Sequence, residues 1–137
     1  MKADGSEQTQ MTDDPHWNTW FPHISPDRKK VAMIAYHESD VRPGDHVPNK
    51  DVEIRLMTGS DASGWSKPRT LLKLFGGQGT INVNSWAPDS QRFLDCGGDR
   101  GSACRWLSYC GNDAPSWRFV ARNVRRYEGK VRVGVRY

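Results

Sequence analysis

Six consecutive apolar positions, Val31-Ala32-Met33-Ile34-Ala35-Tyr36, interrupt an otherwise polar chain. A run that short and without alternation predicts a strand buried on both faces. Farther on, Asp51 to Met57 alternates, with Val52, Ile54 and Leu56 on one face and Asp51, Glu53 and Arg55 on the other. That is the pattern of a half-buried strand. Thr58 to Gly64 reads as the turn after it, and Pro68 to Leu74 as an outer strand with proline tolerated at its first position. Ahead of the apolar run, Trp20 to Ile24 forms a leading strand and Thr12 to Thr19 a polar loop. At the start of the chain, Met1-Lys2 reads as the end of a strand, Ala3-Asp4-Gly5-Ser6 as a turn and Glu7 to Met11 as the next strand.

The leading strand reaches the apolar run through Ser25-Pro26-Asp27. The same plan returns at Asn84-Ser85-Trp86-Ala87-Pro88-Asp89-Ser90-Gln91-Arg92-Phe93, 62 residues later, with Ile81 to Trp86 as its leading strand. Proline presets φ near −65° for the first central position of a turn, and the following carboxylate can accept a backbone N–H two residues on. Two aligned Pro-Asp turns predict an internal structural repeat.

Ile24-Ser25-Pro26-Asp27 and Trp86-Ala87-Pro88-Asp89 resemble the Ser-Pro-Asp-Gly turn of TolB-like β-propeller repeats, which are WD40-like in shape. Ala3-Asp4-Gly5-Ser6 resembles the family's Asp-Gly hairpin, and Gln10-Met11-Thr12 the Leu-Thr that closes a blade. The resemblance runs from Lys2 to Leu94 and stops. Arg28 and Ser90 stand where the family has Gly, so a positive φ at either would carry strain. The resemblance implies an all-β fold of antiparallel four-stranded blades. That fold is incomplete in this chain, with about two blades in residues 1–94 and a divergent tail over 95–137. The chain then reads as part of a longer propeller. Such proteins are typically exported, which implies a periplasmic location for full-length relatives; the compartment of this chain is unknown, because no apolar run follows the charge at Met1-Lys2 to make a secretory signal.

Composition sharpens the boundary. The 137 residues suffice for one ordinary domain, and 36% of them are hydrophobic, so the core is modest. No stretch approaches the roughly 20 apolar residues of a membrane-spanning helix. The net charge of +4 is unevenly built, with six Lys and four Arg from Met1 to Gln91 against one Lys and nine Arg from Arg92 onward. Trp117, Phe119 and Tyr127 sit among those arginines, yet the tail reads as basic without a defined partner, and nucleic acid is not expected. Cys96, Cys104 and Cys110 arrive in the same stretch. Their spacing contains no Cys-x-x-Cys pair and no histidine is near, which argues against zinc. Pattern loss, arginine enrichment and cysteine arrival at one boundary predict a frame-shifted or otherwise non-homologous tail.

Catalytic signatures are missing. There is no Gly-x-Ser-x-Gly elbow and no His-Glu-x-x-His. Phe75-Gly76-Gly77-Gln78-Gly79-Thr80 lacks the Lys-Ser/Thr ending of a phosphate loop and precedes strand-like residues, so it reads as a flexible connection between blades. His16, His23 and His37 have no spacing that would set them on one face, and solvated or structural roles are expected for them. What remains is loop chemistry. His37 to Lys50 is long enough to suggest function, and Asp61 to Lys67 is a second insertion between strands. Arg42, Asp45 and His46 in the first and Trp65 in the second are the candidate partner-binding residues. The expected function is therefore a protein-protein interaction scaffold within a TolB-like propeller, with a protein partner, no cofactor, no catalysis by these residues and no membrane insertion. Its open sheet edges would be available for self-association. The alternative is the propeller domain of a larger prolyl-oligopeptidase-type hydrolase, or of a metal-binding propeller lyase.

Overall fold

The apolar run becomes the centre of β2 (Lys30–His37), the strand on which the first sheet is built. In a computed structural model of the chain, backbone and side chains are described for residues 1–94, and backbone also for 95, 104–110, 116–124, 126–127 and 130–131. β2 lies between β1 (Trp17–Ile24) and β3 (Lys50–Ser60), and β5 (Arg69–Gly76) pairs with the far side of β3; all three pairings are antiparallel. The short β4 (Gly64–Trp65) forms a hairpin with the end of β3. Val31 to Tyr36 are all 4% exposed or less, as a doubly covered strand requires. One face of the sheet holds the main core of Ala32, Ile34, Tyr36, Val52, Ile54 and Leu56. It is closed by Ile81, Trp86 and Phe93 from the second Pro-Asp motif. The other face carries a smaller apolar cluster of Val31, Met33 and Met57, with Trp65 packed on it.

The two Pro-Asp turns have the same construction. Ser25 N–H donates to the Lys30 carbonyl (2.8 Å) and Arg28 N–H to the Ser25 carbonyl (2.9 Å); Ala87 N–H donates to Arg92 (2.8 Å) and Ser90 N–H to Ala87 (2.9 Å). The carboxylates act as their positions predict. Asp27 Oδ1 accepts Lys29 N–H at 3.1 Å, and Asp89 Oδ1 accepts Gln91 N–H at 2.9 Å. Arg28 and Ser90 both adopt φ of 57°, the left-handed conformation that costs a residue with a Cβ about 1–2 kcal/mol. The turns also meet, since Asp27 N–H donates to the Ser90 hydroxyl at 2.9 Å.

Several expectations are corrected. Glu7 to Met11 is not a strand; Lys2 N–H bonds the Ser6 carbonyl around the expected turn, but no described strand pairs with the residues after it. β1 starts at Trp17, inside the expected loop, because Trp17 to Trp20 pair with His37 to Ile34. β3 is not half-buried: Glu53 is 5% and Arg55 8% exposed, because both are neutralised by partners described below. β3 also continues to Ser60, which confines the turn to 61–63. Ile81 to Trp86 is not a leading strand, and its only ladder contact among the described residues is the isolated bridge from Trp86 to Phe93. The glycine-rich connection is packed, with Gly77 at φ 126° and so close to the Val47 carbonyl that a Cβ would stand 2.2 Å from it. Past the second turn, β6 (Arg92–Asp95) pairs with β7 (Cys104–Cys110), and β7 with β8 (Ser116–Val124), as an antiparallel meander. Two short strands, β9 (Arg126–Tyr127) and β10 (Lys130–Val131), pair with each other. The expected origin of the tail and its side-chain chemistry lie outside the described residues.

Candidate interaction site

The up-and-down order of the strands sorts the connections into two ends. The Pro-Asp turn and the 61–68 connection lie at one end, and the loop 38–49 lies at the other beside the 77–80 turn.

The loop is fixed to the sheet along its length. At its start, Glu38 N–H donates to the His16 carbonyl (3.0 Å), and the Glu38 carboxylate meets His16 Nδ1 at 2.6 Å. That carboxylate raises the His16 pKa above its usual value. Val41 then turns inward and joins the main core. After a turn in which Asp45 N–H bonds the Arg42 carbonyl (3.0 Å) and Gly44 takes φ 96°, His46 stacks on Trp20. Their ring centroids lie 4.4 Å apart, and Phe21 meets His46 edge-on at 5.4 Å. The Val47 carbonyl accepts both the Tyr36 hydroxyl (3.0 Å) and Gln78 N–H (3.2 Å). Burial raises the Tyr36 pKa, so the phenol keeps the proton it donates. Between these anchors Arg42, Pro43, Gly44 and Asp45 are exposed.

Beneath this end, a charged cluster replaces the apolar face of the sheet. Strand alternation puts Glu53 and Arg55 on one face, and the cross-strand register sets Lys73 opposite Glu53 and Thr70 opposite Arg55. Glu53 accepts Arg55 Nε at 2.9 Å, the Thr70 hydroxyl at 2.7 Å and Lys73 Nζ at 3.3 Å. Burial pushes the Glu53 carboxyl up, but Thr70, Arg55 and Lys73 together outweigh it and hold the pKa below the ordinary value. Arg55 continues to Asp14 at 3.1 Å, and its guanidinium lies 4.0 Å from the Trp17 ring centroid. An open groove of about 380 Å³ runs alongside, bounded by Trp17, His37, Asp40, Asp51, Glu53 and Lys73.

The sequence-predicted residues divide between the two ends. Arg42 and Asp45 stand at the loop tip, and His46 anchors it. Trp65 lies at the opposite end, packed over Val31, Met33 and Met57 with its indole N–H 3.4 Å from Asp61 Oδ1. The four do not form one surface. The three histidines also separate: His16 and His37 stack at 6.4 Å, whereas His23 bonds the Ile81 carbonyl. Among the described residues no three His, Cys, Asp or Glu side chains converge to hold a metal ion, and no helix is long and apolar enough to cross a membrane. Sequence reasoning missed Trp17, Glu53, Arg55 and Lys73. The only local signal was the opposite charges of Glu53 and Arg55 at alternate positions of one strand.

No family model matches the chain. An uncharacterized protein of Agrobacterium fabrum is 41% identical over 93 residues, which cover 68% of this chain and 29% of that protein. A solved structure of a protein from Agrobacterium tumefaciens, provisionally named TolB, superposes with a TM-score of 0.53 at 41% identity, over 64% of this chain and 28% of the other. The chain thus spans less than a third of the length of either relative. With an all-β antiparallel architecture and this likeness, its fold is TolB-like.

Proposed function

We propose that the chain is part of a TolB-like β-propeller that serves as a protein-binding scaffold through the loop 38–49, with no catalysis by the described residues. The observation that carries this reading is the construction of the loop. Val41, His46 and Val47 are tied to the sheet, while Arg42 to Asp45 project into solvent on a closed turn. A surface already ordered before binding loses little entropy on association, and a rigid sheet can carry such a loop without cost to its core. Arg42 adds the residue type enriched among interface hot spots. On the same reading the longer relatives act outside the cytoplasm.

The test uses Arg42→Ala/Asp45→Ala in the full chain. Both side chains are exposed, so the circular dichroism of the sheet should be unchanged while capture of a partner in pull-down is lost. Unchanged capture, or a hydrolytic activity that the double variant abolishes, contradicts the proposal.

A further inference from the structure

We propose that the groove beside the loop takes a lysine or arginine side chain of the protein partner. This rests on the reading of the chain as a protein-binding module, and it names the chemistry of what is bound.

Two carboxylates that line the groove form no ion pair among the described residues. The Asp51 carboxylate takes no hydrogen bond or ion pair among the described residues, and the Asp40 carboxylate accepts only the Ser39 hydroxyl, at 3.5 Å. Both border the same opening, and the Trp17 indole forms its wall. A long cationic side chain suits such a place, because its methylene stem lies along apolar surface while its head stays with charge and water. The chain already shows this fit twice. Its own Lys73 reaches along the groove to Glu53 with its side chain 80% exposed, and its own Arg55 lies over the Trp17 ring. Lys73 is the weaker holder, since an exposed ion pair contributes only about 0–1 kcal/mol, so an incoming cation can take its position beside Glu53, Asp40 and Asp51.

Bulk electrostatics works against this choice. The chain carries a net charge of +4, so non-specific attraction would favour an acidic probe. Preference for a basic one isolates the local groove.

The probes are the tripeptides tri-arginine and tri-glutamate, titrated into the full chain at low salt and followed by calorimetry. Saturable binding of tri-arginine is expected, with none of tri-glutamate. Asp40→Asn/Asp51→Asn should weaken it at least fivefold, and Lys73→Ala should tighten it about twofold by removing the competing cation. Asp61→Asn, at the opposite end of the sheet, should leave it unchanged; because the tripeptide is titrated with no captured partner present, failure of the groove is separated from failure of the loop. Absence of tri-arginine binding, indifference to the Asp40/Asp51 change, or weaker binding after Lys73→Ala overturns the proposal.

Discussion

The two Pro-Asp turns are alike in every backbone bond that defines them, but the chain around them is not alike. After the first, the eight residues of β2 run between two neighbours, and all but His37 are buried. After the second, β6 has four residues, and the segment leading into the turn makes a single bridge. The turn is therefore a local property, set by proline, a carboxylate and one residue willing to take positive φ. Strand length is a tertiary property, set by what lies on either side. Even the shared strain differs in its compensation. Arg28 is exposed and ion-pairs only with exposed Asp61, whereas Ser90 is 3% exposed and its hydroxyl holds the Asp27 amide.

The largest effect should come from the core under the first turn. Ile34 is wholly buried between β1 and β3, and Ile34→Ala should cost about 4 kcal/mol, the scale of a large-to-small core change. The shift of the urea midpoint measures it, and a loss below about 1 kcal/mol would mean that this sheet does not carry the stability.

Next comes the charged face of the same sheet. Glu53→Gln should cost about 2–3 kcal/mol, because Arg55 loses a buried partner while keeping Asp14. The Glu53 pKa is lowered on folding, so its contribution is complete above the ordinary value of 4.5 and is lost as pH falls through the folded value. The variant should accordingly show a shallower loss of stability on acidification. Equal acid profiles would remove Glu53 from the account.

The turns themselves should respond with opposite signs to one substitution. Arg28→Gly relieves positive φ and gives up only an exposed ion pair, so it should stabilise by about 0.5–1 kcal/mol. Ser90→Gly relieves the same strain but leaves the Asp27 amide unpaired, and should destabilise by about 1 kcal/mol. Thermal melts of the two variants give the comparison, and a shared sign would contradict it.

The smallest expected effect is at His16, whose raised pKa makes its ion pair with Glu38 fully present below 6.5 and lost as pH rises through the folded value. Chemical-shift titration of His16 in Glu38→Gln should move its midpoint back toward 6.5.

These contrasts also explain what the sequence disclosed. The turn at Ser25-Pro26-Asp27 and the buried run at Val31 to Tyr36 were legible, because the residue types that carry each are contiguous in sequence; the positive φ at Arg28 and Ser90 was anticipated only through the resemblance, whose turn has Gly there. The burial of Glu53 and Arg55 was not legible, since alternation alone marks charged positions as solvated and Arg55's second partner, Asp14, lies 41 residues away. Trp65 looked like a binding anchor because its turn is an insertion, and only packing on Met33 and Met57 shows that it belongs to the opposite end. The loop 38–49 was legible as a loop, but its anchoring by Val41, His46 and Val47 was not.

The central claim is that a partner meets this molecule at the loop end. Amide hydrogen exchange of the full chain, alone and with a captured partner, tests it most directly. The account predicts new protection at Asp45 and at Gln78 to Thr80, with Asp61 to Ser66 unchanged. Protection at Asp61 to Ser66 with none in the loop would place the partner at the Trp65 end and contradict it.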